Sequence, residues 1–136
     1  MRSTFLAPLR SGTGRRLILT NRRTGLTVAD AILPALDSRS RRTGLLLHQG
    51  LPSGTAMLIA PTSAIHTWFM RFAIDVAFLA RDGRVMKIRS AVPPWRMIAA
   101  WRGYVVLEMA AGALERTGTR VGDRLELIAA REHHAA

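Results

Sequence analysis

Short apolar segments separated by turn residues extend along most of the chain, a pattern typical of a β-rich protein. Two short helices are also predicted, one beginning at Asp37 or Ser38 and one over residues 110–116. We therefore expect a mostly β protein, a compact single-domain β-sandwich or barrel-like fold with two short helices. The predicted strands cover residues 17–20, 26–28, 56–60, 65–70, 76–80, 85–90, 104–109 and 124–128.

The length of 136 residues favours one domain with a substantial core. Residues 1–14 are predicted to form a flexible N-terminal tail, because Ser11-Gly12-Thr13-Gly14 is typical of a flexible joint. The β-rich domain is expected over residues 15–130, and residues 131–136 are expected to be a frayed C-terminal tail.

The clearest turn signal is Asp82-Gly83, because this dipeptide tolerates the positive φ angles of a two-residue hairpin loop. Since side chains alternate between the two faces of a strand, Asp75 is expected to point inward at the rim of the apolar face. An inward carboxylate is costly unless it is hydrogen-bonded or paired. The predicted register joins Leu79 to Met86, Phe78 to Lys87, Ala77 to Ile88, Val76 to Arg89 and Asp75 to Ser90.

Two carboxylates within predicted strands are open to two interpretations. Asp75 either binds backbone N–H groups or an arginine, or it belongs to a ligand pocket. Glu108, which precedes Ala110-Ala111-Gly112, either caps the following turn or lies in the same pocket. If Asp75 and Glu108 met in space, they would suit acid–base chemistry or cation binding.

His66 is the third candidate for catalysis, because an imidazole can act as a base or a metal ligand. The other interpretation is that His66 has a structural role at the rim of a pocket, and His48 is interpreted in the same way. One histidine and two distant carboxylates make a weak metal signature, so no metal site is predicted. The chain also lacks a Gly-rich phosphate loop and a nucleophile elbow.

Three tryptophans are candidates for contact with a ligand. Trp68 is either a core residue or part of a groove, and Phe69 beside it is interpreted in the same way. Trp95 and Trp101 lie in a segment predicted to be a loop, where a large apolar side chain either covers the core or meets a partner. Arg96 beside Trp95 would suit an anionic ligand or a carboxylate.

An ordered series of short motifs gives the chain a family resemblance. The series includes His66 to Met70, Ile74-Asp75, Val106-Leu107-Glu108 and Gly122-Asp123, after Gly44-Leu45-Leu46 and Met57-Leu58-Ile59 earlier in the chain. It resembles a bacterial and archaeal family, domain of unknown function 192. The resemblance covers roughly residues 42–127, and it implies a compact β-sandwich or barrel but no particular chemistry.

The chain is strongly basic, with 20 lysine and arginine residues against nine aspartate and glutamate residues, a net charge of +11. Such an excess favours anionic partners, although it is also typical of a solvated surface. Arg39, Arg41 and Arg42 are the candidates for anion binding, including phosphate contact with nucleic acid. The absence of cysteine excludes disulfides, thiol chemistry and cysteine-ligated metals.

No apolar run is long enough for a membrane-spanning helix, and the N-terminal residues do not read as a secretory signal. Because many members of the similar family are exported, the expected cytoplasmic location is a departure from them. No cofactor is predicted.

The sequence favours a small β-rich binding or accessory module with a polar pocket near Asp75, His66 and Trp95, and without catalysis of its own. Its partner would be a small molecule or a protein. One alternative is a hydrolase that uses Asp75, Glu108 and His66, with or without a divalent metal. The other is a binder of nucleic acid or anionic surfaces through the N-terminal arginines.

Overall fold

Three β-sheets and two short helices make up most of the structure, a computed structural model that describes residues 4–12, 14–37, 40–41 and 49–131. The predicted mostly β fold is confirmed. Two helices have both ends within the described residues, α1 (Ala7–Arg10) and α2 (Ala113–Arg116), and residues 40 and 41 are also helical. The strands are β1 (Leu17–Asn21), β2 (Thr27–Ala29), β3 (Ala31–Ala35), β4 (Thr55–Ile59), β5 (Ala64–His66), β6 (Ile74–Leu79), β7 (Val85–Val92), β8 (Met97–Ala99), β9 (Val105–Ala110) and β10 (Leu125–Ala129).

The five-stranded sheet β3-β4-β9-β6-β7 lies at the centre of the fold. Its strands are antiparallel except for β3 and β4, which run parallel. Every residue of β4 and β6 is buried, so both faces of this sheet are covered. Full burial explains why these strands read as continuous apolar runs rather than as alternating patterns.

The first core lies between one face of the central sheet and the sheet β10-β1-β2. Ala77, Leu79 and Leu107 from the central sheet pack there with Leu19 and Leu125. The second core lies on the opposite face of the central sheet, against the two-stranded sheet formed by β5 and β8. Its members from the central sheet include Ile74, Val76, Phe78 and Val106, and Ile65 and Ile98 pack against them.

The N-terminal segment differs from the expected flexible tail. Phe5 and Leu6 are buried in the first core, and α1 follows them directly. The backbone N–H of Phe5 donates to the carbonyl of Arg81, which ties the segment to the β6–β7 turn. The apolar pair Phe5-Leu6 is too short a signal in the sequence to predict this packing. Residues 1–3, 13 and 132–136 lie outside the described part of the chain.

Several predicted elements need correction. Residues 31–35, which had no assigned strand, form β3, where Pro34 is tolerated because this strand is at the edge of its sheet. Residues 97–99, expected to be irregular, form β8. The strand predicted over residues 65–70 ends at His66.

The helix expected near Asp37 or Ser38 needs no correction within the described residues. Residues 40 and 41 are helical, and the backbone N–H of Ser40 donates to Asp37 Oδ1 at 2.7 Å, while the residues that follow lie outside the described part of the chain.

The β6–β7 hairpin forms around the predicted Asp82-Gly83 turn, and the middle of its register is as predicted. Phe78 pairs with Lys87, Ala77 with Ile88 and Val76 with Arg89. The ends are different, because the register shifts on both sides. Leu79 pairs with Val85 instead of Met86, and a second shift near Asp75 removes its predicted partner Ser90.

Asp123 connects the end of β1 to the turn that precedes β10. One carboxylate oxygen accepts from the Arg23 Nε at 2.6 Å, and the other accepts from the Asn21 amide at 2.7 Å and from the backbone N–H of Arg120 at 2.9 Å. The hydrogen bond from the Arg23 guanidinium is the main reason that the pKa of Asp123 is held well below its ordinary value. The Gly122-Asp123 motif therefore has a structural role.

Candidate functional site

Asp75 is completely buried, and both of its carboxylate oxygens accept hydrogen bonds from the backbone. Oδ1 accepts from the N–H of Ala91 at 2.9 Å, and Oδ2 accepts from the N–H of Leu114 at 3.0 Å. Ala91 lies in the irregular end of β7 with φ +47°, and Leu114 is in the first turn of α2. The carboxylate therefore connects three separate elements, as in the first of the two interpretations drawn from the sequence.

Glu108 points to the other side of the central sheet. In β9 it pairs with Val76, while Asp75 pairs with Met109, so the alternation along these strands places the two carboxylates on opposite faces. Asp75 faces the first core, and Glu108 faces the second. Its Oε2 is buried without a hydrogen-bond partner. Desolvation raises the pKa of Glu108 from 4.5 to about 7.

The three predicted catalytic candidates do not converge. His66 is exposed at the end of β5, in a different sheet from both carboxylates. Because Asp75 and Glu108 are separated by the sheet itself, they cannot form an acid–base pair on one substrate. No group of three potential metal-ligating side chains occurs within the described residues. The expected pocket shared by Asp75, His66 and Trp95 is not formed by these residues, since Asp75 is fully buried and His66 and Trp95 are exposed.

Thr67 organises the two loops that carry most of the exposed aromatic side chains. It is fully buried, and its hydroxyl donates to the carbonyl of Pro93 at 2.8 Å and accepts from the backbone N–H of Arg96 at 2.9 Å. Its backbone N–H donates to the Arg96 carbonyl at 2.8 Å, and its own carbonyl accepts from the N–H of Trp95 at 3.1 Å and of Met70 at 3.2 Å. This residue was not among the predicted site residues, because one threonine in an apolar segment gives no sign of partners some 26 residues away.

These loops present an aromatic patch, defined here as Trp68, Phe69, Trp95 and Met97. All four side chains are exposed, from 41% for Trp68 to 68% for Phe69. The rings of Phe69 and Trp95 meet edge to face with centroids 4.8 Å apart, and Trp68 lies against His66 at the same distance. Adjacent exposed rings on a surface normally mark a place where a partner binds.

Two residues of the aromatic patch have a backbone conformation that bulky side chains rarely adopt. The φ angles of Phe69 and Trp95 are +65° and +68°. A left-handed conformation costs a large residue on the order of 1 kcal/mol, and it persists only where the surroundings impose it. Here Thr67 imposes it, since Met70, Trp95 and Arg96 all bind this residue. The chain thus keeps two exposed rings at a cost in stability.

The remaining predicted site residues lie in several segments of the chain. Trp101 lies in the turn after β8 and, at 85%, is the most exposed of the large apolar side chains within the described residues. Arg96 is exposed beside Trp95. Arg41 donates to the carbonyls of Leu36 and Ala60, at 2.9 and 3.4 Å. Arg39, Arg42 and His48 lie outside the described residues, so their proposed roles stay predictions.

We expect Asp75→Asn to lower the free energy of unfolding by about 3 kcal/mol and Tm by roughly 10 °C. The asparagine amide cannot accept from both backbone N–H groups, so one buried donor loses its partner. Thermal unfolding followed by circular dichroism measures the effect, with Asp30→Asn, an exposed position between β2 and β3, as the control. An unchanged Tm would show that the carboxylate is not a structural connection.

The raised pKa of Glu108 predicts that the stability of the protein depends on pH. Because burial raises its pKa from 4.5 to about 7, the folded protein binds a proton more tightly than the unfolded chain does. Stability should therefore fall as the pH rises from about 4.5 to 7 and stay reduced above that window, by up to roughly 3 kcal/mol. Glu108→Gln should remove this loss, so urea unfolding at pH 8 should show a more stable variant. Equal stability of the two proteins at pH 5 and pH 8 would contradict the assignment.

Comparison with known proteins shows which family the chain matches. The family model DUF192, described as Uncharacterized ACR, matches residues 19–127. A UPF0127 protein of Pyrococcus furiosus is 37% identical over 65 residues, which are 47% of this chain and 55% of that protein, so the chain matches about half the length of this curated relative.

Two crystal structures share the fold. One, described as a "putative transcription regulator" from Sinorhizobium meliloti 1021, has a TM-score of 0.72 and 26% identity, covering 83% of this chain and 92% of that one. The other, a protein of unknown function from Novosphingobium aromaticivorans DSM 12444, has a TM-score of 0.69 and 24% identity, covering 81% and 82% of the two chains. The family match extends over most of the chain and includes Thr67, Asp75 and Glu108. The protein therefore belongs to the DUF192 family of uncharacterised proteins.

Proposed function

We propose that this protein is a β-rich binding module, without catalysis of its own, that contacts its partner through the aromatic patch. The observation that carries the proposal is the pair of exposed rings, Phe69 and Trp95, held at positive φ by Thr67. Natural proteins seldom keep strained backbone and exposed aromatic surface together unless a function needs them.

The proposal moves the binding site from a pocket to a surface. Two hollows, of about 570 and 300 Å³, lie beside β10 and beside β2, and neither is lined by a residue of the aromatic patch. The predicted ligand residues Trp68, Trp95 and Arg96 stay in the proposed site. Asp75 and Glu108 leave it, because they are buried in two separate cores.

Asp75 fixes the end of the β6–β7 hairpin next to the loops that carry the aromatic patch. It lies one residue after the start of β6, and its partner Ala91 lies one residue before the end of β7. The chain segments of the aromatic patch enter β6 and leave β7 at that same end of the hairpin. Fixing the end of the hairpin therefore fixes the base of both aromatic loops.

Nucleic-acid binding is a second candidate, favoured by the net charge of +11 and by the description of the Sinorhizobium meliloti protein as a "putative transcription regulator". Two N-terminal arginines are already engaged with carboxylates, Arg23 with Asp123 at 2.6 Å and Arg22 with Glu126 at 3.6 Å. Those contacts compete with phosphate contact, so the aromatic patch is the stronger basis for a function.

The proposal predicts where a partner touches the protein. A photoreactive phenylalanine analogue replacing Trp95 should give crosslinked adducts in cells of the producing organism. The analogue is aromatic, so it preserves part of the surface it probes. Mass spectrometry of the purified adducts measures the yield and identifies whether a protein or a lipid is attached.

The control carries the same analogue at Val121, an apolar side chain that is 61% exposed in the turn before β10 and outside the aromatic patch. Equal yields at the two positions, or no adduct at position 95, would contradict a partner at the patch.

A further inference from the structure

We propose that the partner of the aromatic patch is a membrane surface rich in anionic lipid, an inference that rests on the proposed function. The patch would insert its rings among the lipid headgroups while the cations around it bind headgroup phosphates. Among the described residues, none of the helices could cross a lipid bilayer. The contact proposed is with the membrane surface.

The chain segment that contains the patch is strongly basic. Residues 61–103 contain seven lysine and arginine side chains and only two carboxylates. Of those carboxylates, Asp75 is fully buried, and Asp82 is held by Arg124 at 3.1 Å at the opposite end of the β6–β7 hairpin. Arg81 and Arg84 flank Asp82 in that turn and are likewise away from the patch. The other exposed arginines of this stretch are Arg71, Arg89, Arg96 and Arg102.

The cationic side chains lie in different segments and do not converge on one point. Arg96 and Arg89 each use one guanidinium N–H on the carbonyl of the residue before them, and Lys87 donates to the carbonyl of Ala99. They are spread over strand β7 and the loop before β8, so they do not form one compact site for a single phosphate. A broad anionic surface matches this distribution better than one small anion does.

The chemistry of the apolar side chains also fits a headgroup region. Tryptophan is enriched at membrane interfaces because it has an apolar body and a polar N–H, and arginine places its charge among phosphates while its stem stays apolar. Trp95 and Phe69 form one contact pair, and Met97 is exposed at 66% beside them in sequence. Binding of this kind combines apolar insertion with attraction to anionic lipid.

The experiment uses the full chain and large unilamellar vesicles of phosphatidylcholine, with or without roughly one part in four of phosphatidylglycerol. We expect cosedimentation with the anionic vesicles, a shift of tryptophan emission to shorter wavelength, and little binding to phosphatidylcholine alone. Binding should weaken as salt is raised, because the electrostatic part of the attraction is screened.

The test variant is Phe69→Asn/Trp95→Asn, since asparagine tolerates positive φ and removes both rings. Its binding should be weaker than wild type by roughly tenfold or more. Arg96→Gln, a second variant that leaves the rings in place, should weaken binding to anionic vesicles alone. Val121→Asn is the matched control and should bind like wild type. Circular dichroism melting confirms that each variant is folded.

Each result decides the inference. Equal vesicle binding by wild type and the double variant would overturn it, because attraction by net charge alone would then explain the binding. Absent vesicle binding together with a protein crosslinked at position 95 would overturn the lipid inference and leave the proposed function standing. Tight binding to duplex DNA with no binding to vesicles would overturn it in favour of nucleic acid.

Discussion

The buried carboxylate of Asp75 is the constraint on which the rest of the structure depends. Its two oxygens accept from the backbone N–H groups of Ala91 in β7 and Leu114 in α2. One side chain therefore connects the β6–β7 hairpin of the central sheet to α2. A buried charge is tolerable only when such donors are present. Because the connection lies at the end of the hairpin, it also fixes the base from which the aromatic loops extend.

The central sheet separates the roles of the polar residues. Asp75 is satisfied on one face, whereas Glu108 lies on the other with one unpaired oxygen and a pKa raised to about 7. This separation excludes Asp75 and Glu108 as a carboxylate pair acting on one substrate. At the surface, Thr67 is satisfied internally, and the rings of Phe69 and Trp95 are exposed on residues with positive φ. In the function proposed above, stability and binding depend on different residues of the same motif.

Local signals in the sequence predicted the local structure. The hairpin around Asp82-Gly83 was predicted with the correct central register because the turn itself fixes it, and Gly83 is required there since a Cβ would collide with the carbonyl of Leu125. The register shift near Asp75 is not contained in the turn signal, and the Asp75 carboxylate at this place accepts from Leu114, 39 residues away. The burial of Phe5 in the core and the role of Thr67 likewise depend on partners distant in sequence. For the site, the sequence left open whether Trp95 covers the core or is exposed, and it could not show that Asp75 and Glu108 face different cores.

The central claim is that the fold does not need the rings of the aromatic patch. The most direct measurement is the free energy of unfolding of Phe69→Asn/Trp95→Asn, obtained from urea denaturation. We predict a value within about 1 kcal/mol of wild type, because the lost contact between the rings is offset by relief of strain at two left-handed positions. A loss of roughly 3 kcal/mol or more would contradict the account, since the rings would then be part of the core rather than a binding surface.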